Sequence, residues 1–121
     1  MSTNTTTLFG IKNCDTVKKA RRWLEDANIE YQFHDVREDG LSKNQVQTWV
    51  GALGWESVLN KRSTTWKQLS DDDKNTIDES KAISLMLEHP TLIKRPVLEH
   101  GEDKQISNGF KAAQYESMFQ S

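Results

Sequence analysis

Only one cysteine, Cys14, and two prolines occur in this chain of 121 residues. A single thiol forms no internal disulfide, which fits a reducing compartment and leaves Cys14 as either inert packing or a reactive group. The third residue after it is Val17, so the dithiol Cys-x-x-Cys pattern is absent. The prolines, Pro90 and Pro96, sit close together, and no Pro/Gly-rich linker or internal repeat divides the chain. A single domain over residues 1–121 is expected. No apolar run approaches the roughly 18 residues of a membrane span. The start, "MSTNTTT", has neither the charged beginning nor the apolar segment of a secretory signal and reads as a polar tail. These absences point to the cytoplasm and to no membrane contact. A net charge of −2 and a pI near 5.9 exclude a global basic field, so direct nucleic-acid binding is not expected. His34, His89 and His100 share no ligand spacing with Cys14, which leaves no metal site. A Gly-rich phosphate loop is missing as well.

What remains is a soluble chain, 35% hydrophobic and 28% charged, whose four Trp, four Phe and two Tyr argue against disorder. Thr6 to Phe9 is a short β-branched and apolar run closed by Gly10, and reads as a strand buried on both faces. Val17, Ala20, Leu24 and Ala27 then recur at spacings of three and four, one buried helical face. Ile29, Tyr31 and Phe33 alternate with polar residues and give a second strand, parallel to the first through a right-handed crossover. Ser42, with Gln45 three residues on, opens a helix carrying Val46, Trp49, Val50 and Leu53. Short helices and loops follow from Trp55 to Thr76, then a helix from Asp78 with Ile83, Met86 and Leu87 that Pro90 ends. Val97 and Leu98, a Gly-Glu-Asp turn, and Gln105 to Ser107 read as an antiparallel hairpin. Asn108 is positioned to cap a last helix that buries Phe110, Ala113, Met118 or Phe119. The sum is an α/β fold: a mixed sheet of about four strands flanked by helices, with an all-helical insertion at about 41–90.

Cys14 falls at the predicted N-terminus of the first helix, where unpaired backbone N–H groups and the dipole favour an anion. Helix N-termini with nearby cations raise the thiolate content of a cysteine, and Lys12, Lys18 and Lys19 are the local cations. Loops after the carboxyl ends of parallel strands are also where open α/β sheets bind ligands. The plainer reading is a small buried hydrophobe, and spacing weighs the two about evenly. Lys94 and Arg95 precede Pro96, and either could hold an oxyanion or a carboxylate; a solvated pair at a sheet edge is the simpler account. Sequence leaves the isomer of the Arg95–Pro96 bond open. Lys61, Arg62 and Lys67 form a second basic cluster around Trp66, of the kind common on wet helix faces.

The stretches "LFGIKNCDTVKKARRWLE", "YQFHDVREDGL", "WESVLNKRSTTWKQL", "LMLEHPTLIKRPVL" and "NGF" occur in that order along almost the whole chain. In them the sequence resembles the arsenate reductase (ArsC)/Spx family, and most closely its YffB-like branch. The resemblance implies a thioredoxin-like fold, a cis proline at Pro96 and Cys14 as the reactive thiol facing it. It implies glutathione as co-substrate, with no bound cofactor, and glutaredoxin as a further partner. Arg95 matches the arginine of the family's Arg-Pro pair, and Arg62 falls where the Spx and YffB-like branches carry a loop arginine. The late arginine of the arsenate reductases has no counterpart near residues 108–110. Lys12, Arg62, Arg95 and Pro96 are therefore the expected substrate- and glutathione-binding residues around Cys14. A glutathione-dependent thiol reductase acting on arsenate or mixed disulfides is expected; the alternative is a Spx-like regulator that binds RNA polymerase.

Overall fold

The computed structural model describes residues 6–101 and 105–119. The polar tail read at the start therefore lies mostly outside the described residues, as do Glu102 and Asp103 of the hairpin turn. Two compact units result: one combines the chain up to Asp39 with Arg95 onward, the other runs from Gly40 to Lys94.

The first unit contains β1 (Thr6–Gly10), α1 (Asp15–Asp26), β2 (Gln32–Asp35), β3 (Val97–His100), β4 (Gln105–Asn108) and α7 (Ala112–Phe119). Its sheet has the order β2-β1-β3-β4. The β1–β2 pair is parallel, Leu8 opposite Phe33, as a strand–helix–strand crossover requires. The β1–β3 and β3–β4 pairs are antiparallel, which makes the sheet mixed. Leu8 and Leu98 are paired in register and, with Val17, Ala20 and Leu24 of α1 and Tyr115 of α7, form one buried cluster. Each of these six side chains is fully buried, and at about 25 cal/mol per Å² such burial is the main force holding the helices to the sheet.

Three sequence expectations need correction here. The strand after α1 begins at Gln32, not Ile29, because Asn28 takes a left-handed conformation (φ 58°) and Ile29 N–H donates to Leu24 O to close the helix. Ile29, Tyr31 and Phe33 still pack against the core, so their alternation tracked burial and not the hydrogen-bond ladder. Asn108 is likewise no helix cap. It pairs with Val97 in the hairpin, Gly109 (φ 73°) turns the chain while donating to Pro96 O, and the helix starts at Ala112. The buried residue of α7 is consequently Tyr115, and Ala113 is exposed. Ala27 is also exposed, as the residue that ends α1.

The second unit is helical: α2 (Lys43–Leu53), α3 (Trp55–Val58), α4 (Thr64–Gln68), α5 (Asp71–Asn75), α6 (Glu79–Glu88) and a 3₁₀ turn, Pro90–Leu92. Val46, Trp49, Val58, Ala82, Met86 and Leu92 are fully buried. Ser42 and Gln45 form a reciprocal capping box, as their spacing predicts, and Asp78 accepts from Lys81 N–H at the start of α6. Gly54 serves both as the end of α2 and the start of α3 at φ 86°, a conformation that costs a residue with a Cβ about 1–3 kcal/mol. A bridge between Leu59 and Ile93, flanked by Asn60 N–H to Leu92 O and Lys94 N–H to Val58 O, closes the unit.

Candidate functional site

The turn that carries Cys14 begins with a close approach. Gly10 ends β1, and a Cβ added there would meet Val17 Cγ2 at 2.7 Å, so only glycine lets the strand lie this near α1. The chain then turns through four residues, with Cys14 N–H donating to Ile11 O at 3.1 Å and Lys18 N–H to Cys14 O at 3.0 Å. Cys14 occupies the N-cap of α1 with extended backbone (φ −90°, ψ 124°), yet its side chain makes no capping hydrogen bond. It is a free, half-buried thiol with one side against the core cluster.

A residue that sequence reasoning did not single out fixes this turn from the other side. Asp35, the last residue of β2, is only 3% exposed. Its carboxylate accepts from Arg37 N–H at 2.8 Å, Glu38 N–H at 3.0 Å and Lys12 N–H at 3.3 Å. Asp35 N–H in turn donates to Asp39 Oδ2. Burial alone would raise the Asp35 pKa, but the three backbone donors, helped by the Lys12 charge, outweigh it and hold the carboxyl below its ordinary value. The signal was present in "HDVRED": an Asp followed two and three residues on by free N–H groups is the pattern of an Asx turn.

Lys12 is turned toward the same acidic loop. Its Nζ lies 2.8 Å from Glu38 Oε2, both side chains being about 60% exposed. The Glu38 hydrogen bond and charge raise its pKa, with Asp35 and Asp39 adding to the effect. A cleft of about 400 Å³ opens at this loop, lined by Ile11, Lys12, Asn13, Asp35, Arg37 and Glu38. A larger cleft, about 590 Å³, lies at the opposite end of β1 beside Thr6 and His100, away from the Cys14 turn.

Arg95 and Pro96 belong to the same unit as Cys14, and the bond between them is cis. Pro96 is buried and its carbonyl accepts from Gly109 N–H. Arg95 is half-buried, and its Nε is buried without a hydrogen-bond partner among the described residues. Arg62 belongs to the second unit, exposed in the turn between α3 and α4, where Asn60 Oδ1 accepts its backbone N–H. Beside it, Lys61 Nζ stands over the rings of Trp55 and Trp66 at 5.8 and 5.6 Å from their centroids. Among the described residues no three His, Cys, Asp or Glu side chains are grouped to hold a metal ion. Nor is any described helix long and apolar enough to cross a membrane.

Comparison with known proteins agrees with this architecture. An uncharacterized protein of Haemophilus influenzae is 47% identical over 113 residues, 93% of this chain and 97% of that protein. The global transcriptional regulator Spx of Streptococcus mutans is 28% identical over 102 residues, 83% of this chain and 74% of that one. Among solved structures, the YFFB protein matches with a TM-score of 0.89 at 44% identity, covering 93% of this chain and 97% of its own. An arsenate reductase (ArsC) related protein from Brucella melitensis matches with a TM-score of 0.74 at 44% identity, covering 97% and 96%. The mixed four-stranded sheet with its flanking helices is thus the thioredoxin-like fold of these proteins. The ArsC family model matches residues 9–118, and the chain belongs to the ArsC family.

Proposed function

We propose that this protein is a glutathione-dependent thiol reductase that works through one cysteine. The observation that carries the reading is the Cys14 side chain: free, half-exposed, at the N-cap of α1 and not spent on capping. In the reaction the Cys14 thiolate attacks one sulfur of a disulfide, forming a mixed disulfide and releasing the other sulfur as a thiolate. No second cysteine exists in the chain, so a glutathione thiolate must attack the substrate sulfur of the mixed disulfide, bonding to it and releasing the Cys14 thiolate; a second glutathione then frees the substrate thiol and leaves as glutathione disulfide, the two glutathiones supplying the two electrons. With arsenate the same sulfur would attack arsenic, and glutathione with glutaredoxin would complete the two-electron reduction. Arg95 is the anchor for the bound anion, since its buried Nε donor has no partner among the described residues. Lys12 contributes less, because it must first leave Glu38.

The test is reduction of arsenate and of a mixed disulfide, with glutathione and glutaredoxin supplied, by wild type beside Cys14→Ser, Arg95→Ala, Arg62→Ala and Lys12→Ala. Turnover that vanishes in Cys14→Ser and shows a KM raised about tenfold in Arg95→Ala supports the reading. Wild type inactive on both substrates would remove it. The likeness to Spx favours a second reading, a regulator that binds RNA polymerase. Stoichiometric recovery of polymerase subunits in a pull-down, unchanged by Cys14→Ser, would favour that reading instead.

A further inference from the structure

The charges of α1 run against what its own stability would select. Acidic side chains favour a helix start and basic ones its end. The helices of the other unit follow that order: α5 opens on Asp71, Asp72 and Asp73 and closes on Lys74, α6 opens on Glu79, and α4 closes on Lys67. After Asp15, α1 does the reverse. Lys18, Lys19, Arg21 and Arg22 precede Glu25 and Asp26, so its last turn is acidic and has no basic residue.

Arg21 has a place in the fold: its Nε donates to Tyr31 Oη at 3.1 Å, and its Cζ lies 4.4 Å from the Phe33 ring centroid. Lys18, Lys19 and Arg22 have no such place. All three are exposed and form no ion pair among the described residues, although Asp15 precedes Lys18 by three positions and Asp26 follows Arg22 by four. Lys18 and Arg22 are themselves four apart, a like-charge spacing that costs helix stability. Lys18 N–H donates to Cys14 O, so Lys18 stands one helical turn, about 5.4 Å, beyond Cys14, and Arg22 one turn further. In a chain of net charge −2, a row of unpaired cations leading away from the sole thiol fits a negatively charged partner.

We infer that the Lys18–Arg22 face of α1 docks a protein substrate through a peptide segment whose disulfide sulfur is followed by acidic residues, which pair with Lys18 and Arg22 while the sulfur meets Cys14. The inference deepens the reductase reading and takes its chemistry from it. The experiment uses three peptides, each with one cysteine held as the mixed disulfide with 5-thio-2-nitrobenzoate and with Glu, Gln or Lys two and four positions after it. The Cys14 thiolate attacks the peptide sulfur and bonds to it, the old disulfide breaks, and the nitrobenzoate thiolate leaves with the electron pair, so its absorbance gives the rate. The Glu peptide should react about tenfold faster than the Gln peptide and the Lys peptide more slowly, the preference fading in about 0.5 M salt. The Glu-to-Gln ratio, which cancels any change in the thiol itself, should fall to near one in Lys18→Gln with Arg22→Gln. A ratio of one in wild type, or a ratio unchanged in the double variant, would overturn the inference. Docking is also read without the reaction. Cys14→Ser is titrated with the Glu and Gln peptides carrying serine for cysteine, and with a thymidine oligonucleotide of equal charge, following the backbone amides of residues 15–26 by NMR. Saturable shifts with the Glu peptide, weaker with the Gln peptide, support the docking surface even if no peptide reacts with wild type, a result that would remove the reductase reading alone. No shifts with the Glu peptide would overturn the inference, and equal binding of the oligonucleotide would overturn its restriction to peptides.

Discussion

Four helices of the Gly40–Lys94 unit open on a side chain that serves as a cap: Ser42, Ser63, Ser70 and Asp78 each accept from a backbone N–H three residues on. In the unit built from the two chain ends, α1 opens on Cys14, with the same extended backbone and no cap bond. Sulfur is a weak acceptor, so this helix gives up a contact that the other four make. The comparison separates two ways of fixing a helix start. The helical unit does it locally, within four residues. The sheet unit does it through tertiary contacts: Gly10 against Val17 on one side, and Asp35 holding Lys12 N–H on the other.

The largest effect expected from this contrast is in Cys14→Ser. The hydroxyl supplies the missing cap, so stability in urea should rise by about 0.5–1 kcal/mol while mixed-disulfide formation falls to background. A loss of stability would mean that the thiol's packing outweighs the cap. Next comes Asp35→Asn, which turns an amide toward N–H donors that now meet a carboxylate; a loss of about 2–3 kcal/mol is expected from denaturant curves. Its pH dependence has a definite sign. Since the folded-state pKa of Asp35 lies below the unfolded value of about 4, its contribution is complete above that pH and is lost as pH falls through the folded value. The wild-type acid limb should therefore be steeper than that of Asp35→Asn, and parallel limbs would contradict the three-donor account.

Gly10→Ala should cost about 1–3 kcal/mol, because the buried Val17 side chain must shift, and the loss should come with faster hydrogen exchange in residues 11–18. Ser42→Ala should cost only about 1 kcal/mol, with exchange quickening at the start of α2 and the Cys14 turn unchanged. If Ser42→Ala disturbed the Cys14 turn as much as Gly10→Ala does, the division into local and tertiary control would fail.

The same division explains how much was legible in the sequence. Ser42 with Gln45, Asp78 before α6 and Pro90 after it are local signals, and each acts where it stands in the chain. The alternation of residues 29–33 misled because burial continues past the point where Asn28 and the Ile29 N–H to Leu24 O bond close α1, while the ladder with β1 begins only at Gln32; Asn108 misled because it pairs with Val97 across the hairpin. In the candidate site Cys14, Arg95 and Pro96 stood out in the sequence, one by its uniqueness and two as a pair. Asp35 was legible only in part: "HDVRED" fits an Asx turn onto Arg37 and Glu38, but the Lys12 N–H donor and the burial of the carboxylate come from a turn 23 residues away.

Composition and spacing by themselves determined that this chain forms strand–helix–strand, a run of short capped helices, a hairpin and a last helix, with one thiol at a helix start. Those features follow from interactions within a few residues. Tertiary structure alone decided that β3 pairs with β1 some ninety positions earlier, Thr6 opposite His100, and that Lys12 turns to Glu38. It alone decided too that Asp35 is buried beneath the Cys14 turn. A charge's partners and a carboxylate's desolvation are set by which segments meet in space, and no local pattern encodes that.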